Sequence, residues 1–190
     1  MNLLYSSIDL RACFNTAGTT RDTDRSCGAV NAWGNSFPAE EFPFGTNLTV
    51  NTVPFHLPHR HGAYDHIEAM GQSISLPEPV SVCGLGLLCF GEMGNQELDV
   101  YLSGETSISR HLIFEGKTWL VEAQSPQPDD GLIFSHLHYP GDYELALLRP
   151  ALWCCRICWQ QPVLIRTMLL GVNPLFHLFA ATFLHQACDE

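Results

Sequence analysis

Helix breakers punctuate this chain from end to end. Twelve prolines and fifteen glycines are spread through 190 residues, which leaves few stretches free of an interior Gly or Pro. Between them lie short apolar runs of strand length. Leu98-Asp99-Val100-Tyr101-Leu102 alternates with period two, as does Thr46-Asn47-Leu48-Thr49-Val50. The latter is followed by Asn51-Thr52 and then Val53-Pro54-Phe55-His56-Leu57, two runs around a two-residue polar break, which predicts a hairpin. Ile108 to Phe114, Lys117 to Val121, Leu145 to Leu148 and Val163 to Leu170 continue the series. Pro38-Ala39-Glu40-Glu41-Phe42 suits one helical turn, with proline at its start and early carboxylates. Leu175 to His185, with no Gly or Pro inside it, is the one serious helix candidate, and its apolar residues fit a helix face and a strand face alike. Many short strands without alternating long helices predict an all-β fold, a two-sheet sandwich or jelly roll, as one domain over residues 1–190. Gln124 to Gly131 reads as a loop within that domain.

Composition narrows the partners. Apolar residues make up 46% and charged residues 15%, enough to build a full core. Twenty acidic residues against nine basic ones give a formal charge of −11, and Lys117 is the sole lysine. Such a chain is a poor match for a phosphate backbone or an anionic membrane surface. The run Leu85 to Phe90 is too short to cross a bilayer. Met1 to Ser6 lacks a basic segment followed by an apolar one. The chain therefore reads as cytoplasmic as written, or as a module of a longer secreted polypeptide. Of eight cysteines, most lie in apolar stretches such as Leu88-Cys89-Phe90, where thiols are expected to be free and buried rather than paired in a framework.

Several segments, taken in order, carry a family resemblance. They are Ile8-Asp9-Leu10, Phe14-Asn15, Gly18, Asp22 with Asp24, Ser36 to Pro43, Gly45-Thr46, Val53 to Pro58, Gly71 to Pro77, Leu152-Trp153 and Asn173 to Phe183. Together the chain resembles the galactose-binding-like β-sandwich modules that accompany bacterial glycoside hydrolases. Two places depart from that pattern: Ala29 to Asn35, where a glycine- and aspartate-rich stretch is usual, and Cys154, where a histidine often follows the Leu-Trp pair. The resemblance implies a jelly roll with Phe176 to Leu184 as its last strand. It also implies an accessory, non-catalytic role, with carbohydrate or a glycoside hydrolase catalytic domain as partner.

Sugar sites need flat aromatic faces and a few polar groups. Trp33, in a polar Asn/Gly loop, has those surroundings, with Trp119 and Tyr139 as further aromatic residues and His136 and His138 as polar neighbours. Trp153 and Trp159, among apolar neighbours, read as core. The alternative is a small metal-dependent enzyme with a cupin-like barrel. His59-Arg60-His61 and His136-Leu137-His138 each set two imidazoles on one face of an extended chain, and His66 or Asp65 could complete a triad. Neither pair has a third ligand at a fixed offset in sequence, so the expectation is no catalytic residue, no bound transition metal and no cofactor. Asp22, Asp24, Asn31 and Asn35 offer oxygens for a structural calcium, but their spacing matches no calcium loop and suits turns. A third reading is a structural or interaction domain without a sugar site.

Overall fold

A computed structural model of the chain describes residues 3–104, 107–114, 118–141, 143–145 and 147–186. Among these residues, fifteen strands and one 3-10 turn, Arg11–Cys13, make up the regular structure. The main sheet is antiparallel and uses β1 (Leu3–Ile8), β15 (Val172–Gln186), β7 (Ser73–Gly91), β14 (Leu148–Leu170), β8 (Gln96–Gly104) and β9 (Ser107–Phe114), in that spatial order. β6 (Ile67–Met70) adds to β15, and β10 (Leu120–Glu122) and β11 (Gly131–Ile133) add to β14. Three small pairs complete it: β2 (Thr19–Thr20) with β3 (Phe37–Pro38), β4 (Thr46–Val50) with β5 (Val53–Leu57), and β12 (Leu137–His138) with β13 (Glu144–Leu145). The all-β expectation holds.

Two very long strands, β7 and β14, each serve more than one layer. Their pairing slips between Cys158 and Val163 and again between Ile165 and Thr167, and such slips bend a sheet. Inward residues on β7 are even-numbered at Ile74 and Val82, then odd-numbered at Leu85, Leu87 and Cys89. The fold-over brings Phe114 of β9 edge-on to Phe176 of β15, ring centroids 6.1 Å apart. The first apolar cluster fills that interior. On the other face of β7 and β15, Leu88, Phe90 and Phe179 join a second cluster, covered by β5, by Phe37 of β3 and by loops carrying Phe42, Trp119 and Phe134.

Strand β15 lies between β1 and β7, so the segment from Phe176 to Leu184 is extended and interior, not helical. The expected hairpin forms with Asn51 and Thr52 as its turn, both at positive φ (49° and 64°). Positive φ at both central positions is what a two-residue hairpin turn demands. A β-branched residue there is strained. Thr52→Gly is expected to raise the unfolding free energy by about 0.5–1 kcal/mol, read as a higher urea midpoint at unchanged slope. A lower midpoint would show that the threonine side chain outweighs its strain. The helical turn expected at Pro38 to Phe42 does not form: Pro38 belongs to β3, and the chain makes hydrogen-bonded turns after it, the N–H of Glu41 donating to Pro38 O and that of Phe42 to Ala39 O. The segment from Leu145 to Leu148 is split between β13 and β14, and Lys117 lies outside the described residues. Among the described residues, Cys13, Cys27, Cys83, Cys89, Cys154, Cys155 and Cys158 form no disulfide; Cys27 and Cys158 are exposed, and Cys188 lies outside the described residues.

Candidate functional site

The loop from Val30 to Asn35 is closed on itself by its asparagines. Asn31 Oδ1 accepts the backbone N–H of Trp33 (3.1 Å) and of Asn35 (3.2 Å), and Asn31 Nδ2 donates to Asn35 Oδ1 (2.9 Å). Gly34 turns the chain at φ +73°, where a Cβ would stand 2.7 Å from Pro140. This tight turn holds Trp33 at its tip with 67% of its surface exposed. A cavity of about 610 Å³ opens beside it, with Trp33, Tyr139, Trp119, Asn31, Asn35 and Glu92 among its walls. Trp119 is largely core, 7% exposed and stacked on Phe90 at 5.3 Å, so it offers the cavity only an edge. Trp153 is buried and Trp159 partly so, both against the first apolar cluster.

Behind the cavity runs a buried polar chain set into the second apolar cluster. Asp65 Oδ1 lies 2.9 Å from His66 Nδ1, His66 Nε2 lies 2.9 Å from His177 Nδ1, and His177 Nε2 lies 3.0 Å from Glu92 Oε1. Asp65 also accepts from the Gly18 N–H (2.7 Å) and from the N–H and hydroxyl of Thr19 (2.9 and 2.6 Å). Burial pushes the Asp65 carboxyl up, but these donors and the His66 ring outweigh it and hold the carboxyl below its ordinary value. An ionised Asp65 carboxylate accepts from His66 Nδ1. His177 itself is pushed below the ordinary imidazole value by burial, ahead of the opposing contact with Glu92. The chain ends on Glu92, which faces the cavity.

His136 and His138 do not line that cavity. Alternation along β12 sends Leu137 into the second apolar cluster and both imidazoles to the opposite side. There they meet Asp22, from the turn closed by the Asp24 N–H donating to Arg21 O. His138 Nε2 is 2.8 Å and His136 Nε2 3.4 Å from Asp22 Oδ1, and the two ring nitrogens are 3.0 Å apart. The far nitrogens are held too: His138 Nδ1 lies 2.8 Å from Thr20 Oγ1, and His136 Nδ1 lies 2.6 Å from Ser135 Oγ. Glu41 accepts from the Ser135 N–H (2.8 Å) and stands 3.5 Å from His136 Nδ1. Burial pushes the His138 ring below its ordinary value against the pull of Asp22. Partial burial lifts the Asp22 carboxyl, but the two imidazoles reverse that and keep it low.

The other His-x-His pair behaves differently. His59 and His61 are exposed, while His66 is buried with Asp65. Among the described residues, Asp22, His136 and His138 are the one group of three whose donor atoms converge closely enough to hold a metal ion. Of the residues considered for calcium, Asp24 accepts from Ser26, and Asn31 and Asn35 bond to each other.

Fold and side chains together define a β-sandwich domain with one aromatic-walled cavity and two histidine–carboxylate clusters close to it. No helix among the described residues is long and apolar enough to cross a membrane. The chain belongs to the AziU2-like β-sandwich domain family, whose model matches residues 5–187. No curated protein matches it. The ground this family shares with the galactose-binding-like resemblance is the β-sandwich itself.

Sequence spacing does not single out Glu92 or His177 as members of a site, and it offers Asp22 only as an oxygen for calcium, not as a partner of His136 and His138. The available signal was His177 itself, an imidazole in the middle of an apolar strand, which has to find a buried partner.

Proposed function

We propose that this domain binds a neutral carbohydrate in the cavity beside Trp33. The observation that carries this reading is the exposure of Trp33 on a loop already fixed by Asn31 and Gly34, so a sugar face would meet an aromatic plane that needs no ordering. Glu92 supplies a carboxylate wall whose Oε1 is engaged by His177, leaving its other oxygen for a hydroxyl. That carboxylate and the chain's charge of −11 disfavour an anionic ligand. On this reading the domain is an accessory that holds sugar, beside a glycoside hydrolase catalytic domain as the resemblance implies.

Titration of neutral oligosaccharides by calorimetry or ligand-observed NMR tests it. Wild type is expected to bind one of them with a Kd on the order of micromolar to millimolar, since stacking and a few hydrogen bonds each contribute only about 0.5–1.5 kcal/mol. Trp33→Ala is expected to weaken binding about tenfold. Equal affinity in both proteins would remove Trp33 from the site, and no binding of any sugar would leave the structural-domain reading.

A further inference from the structure

We propose that Asp22, His136 and His138 form a binding site for one divalent first-row transition metal ion. An ion about 2.0–2.2 Å from each donor requires donors about 2.8–3.6 Å apart at near-octahedral or tetrahedral angles. The three separations here are 2.8, 3.0 and 3.4 Å, so the triangle is already of that size.

The surroundings fit the same purpose. A metal-binding imidazole needs its second nitrogen held so that the first presents a lone pair. Thr20, itself 2.6 Å from Ser36 Oγ, takes that position for His138, and Ser135 with Glu41 takes it for His136. Two imidazoles and one carboxylate suit zinc, iron or manganese better than calcium, which prefers oxygens alone. Asp22 is half exposed and His136 less so, so the remaining coordination positions face solvent and would take water or a ligand oxygen. Arg25 stands 4.0 Å from Asp22 Oδ1, a distance at which an ion would replace its electrostatic role rather than break a hydrogen bond. The expectation of no metal rested on the lack of a third donor near either His-x-His pair. Folding brings Asp22 to that place from more than a hundred positions away in sequence.

Chelator-treated protein titrated with Zn²⁺ by calorimetry, and with Co²⁺ by visible absorption, tests the site. One ion per chain with a Kd on the order of micromolar or tighter is expected, together with cobalt d–d bands lacking sulfur-to-cobalt charge transfer. Asp22→Asn and His136→Gln are expected to weaken binding more than about 100-fold, and Glu41→Gln by about 10-fold. Both ligand positions are at least partly exposed, so unchanged thermal unfolding of the metal-free variants separates lost ligation from lost fold. Absence of stoichiometric binding would overturn the site. So would binding that both ligand variants retain, or a thiolate signature, which would place the ion on cysteines.

Discussion

Asp65→Ala lowers the unfolding free energy by about 3–5 kcal/mol, the cost of removing one partner from a buried charged cluster. Its carboxylate accepts from two backbone N–H groups, the Thr19 hydroxyl and His66, and Arg60 lies 3.4 Å away. The urea midpoint is expected to fall by roughly 1 M or more, given slopes of about 1–3 kcal/mol/M. A change below about 1 kcal/mol would mean that the donors find other partners. The same residue sets an acid limb. Its folded carboxyl is held below the ordinary 3.8, so the unfolded chain takes up the proton first. The stabilisation is complete above that ordinary value and is lost as pH falls through the lower folded value. In Asp65→Asn, which cannot titrate, that part of the acid loss is expected to disappear from urea midpoints measured between pH 6 and pH 3. An unchanged acid slope would assign the limb to other carboxylates.

What could be read ahead of folding follows from what each element depends on. The β4–β5 hairpin is local, because two alternating runs and a two-residue turn fix their own register, and Thr52 takes the positive φ at which a glycine after Asn51 would signal the turn more strongly. Strand β15 was ambiguous for a physical reason. Phe176, Leu178, Ala181 and Phe183 pack into one apolar cluster and Phe179 and Ala180 into the other, so the strand is buried on both faces and its unbroken apolar run carries no single period. Trp33, Tyr139 and Trp119 could be grouped as aromatic candidates because a polar loop around a tryptophan is visible in sequence, although Trp119 turns mostly into the core. The clusters behind them are long-range. His177 meets Glu92 across 85 positions and His66 across 111, and no spacing rule reaches that far.

Phe37→Ala is the second large effect, with an expected cost of about 3–5 kcal/mol. Phe37 is fully buried, and its ring lies 5.1–6.2 Å from those of Phe42, Phe90, Trp119, Phe134 and Phe179. These neighbours come from separate parts of the chain, so the ring joins the loop layer to β7 and β15. Its backbone is pinned as well, the Phe37 N–H donating to Gly18 O at 2.8 Å. Neighbouring strands therefore cannot close the void freely, which puts the substitution toward the expensive end of large-to-small changes. Trp33→Ala provides the contrast. That ring is mostly in solvent, so its removal is expected to change stability by no more than about 0.5 kcal/mol while weakening sugar binding. Urea unfolding of both variants reads the difference directly. A Phe37→Ala cost below about 1 kcal/mol would mean that the loop layer is not held to the sheet through this ring, and a large cost for Trp33→Ala would make that tryptophan a structural residue rather than a ligand platform.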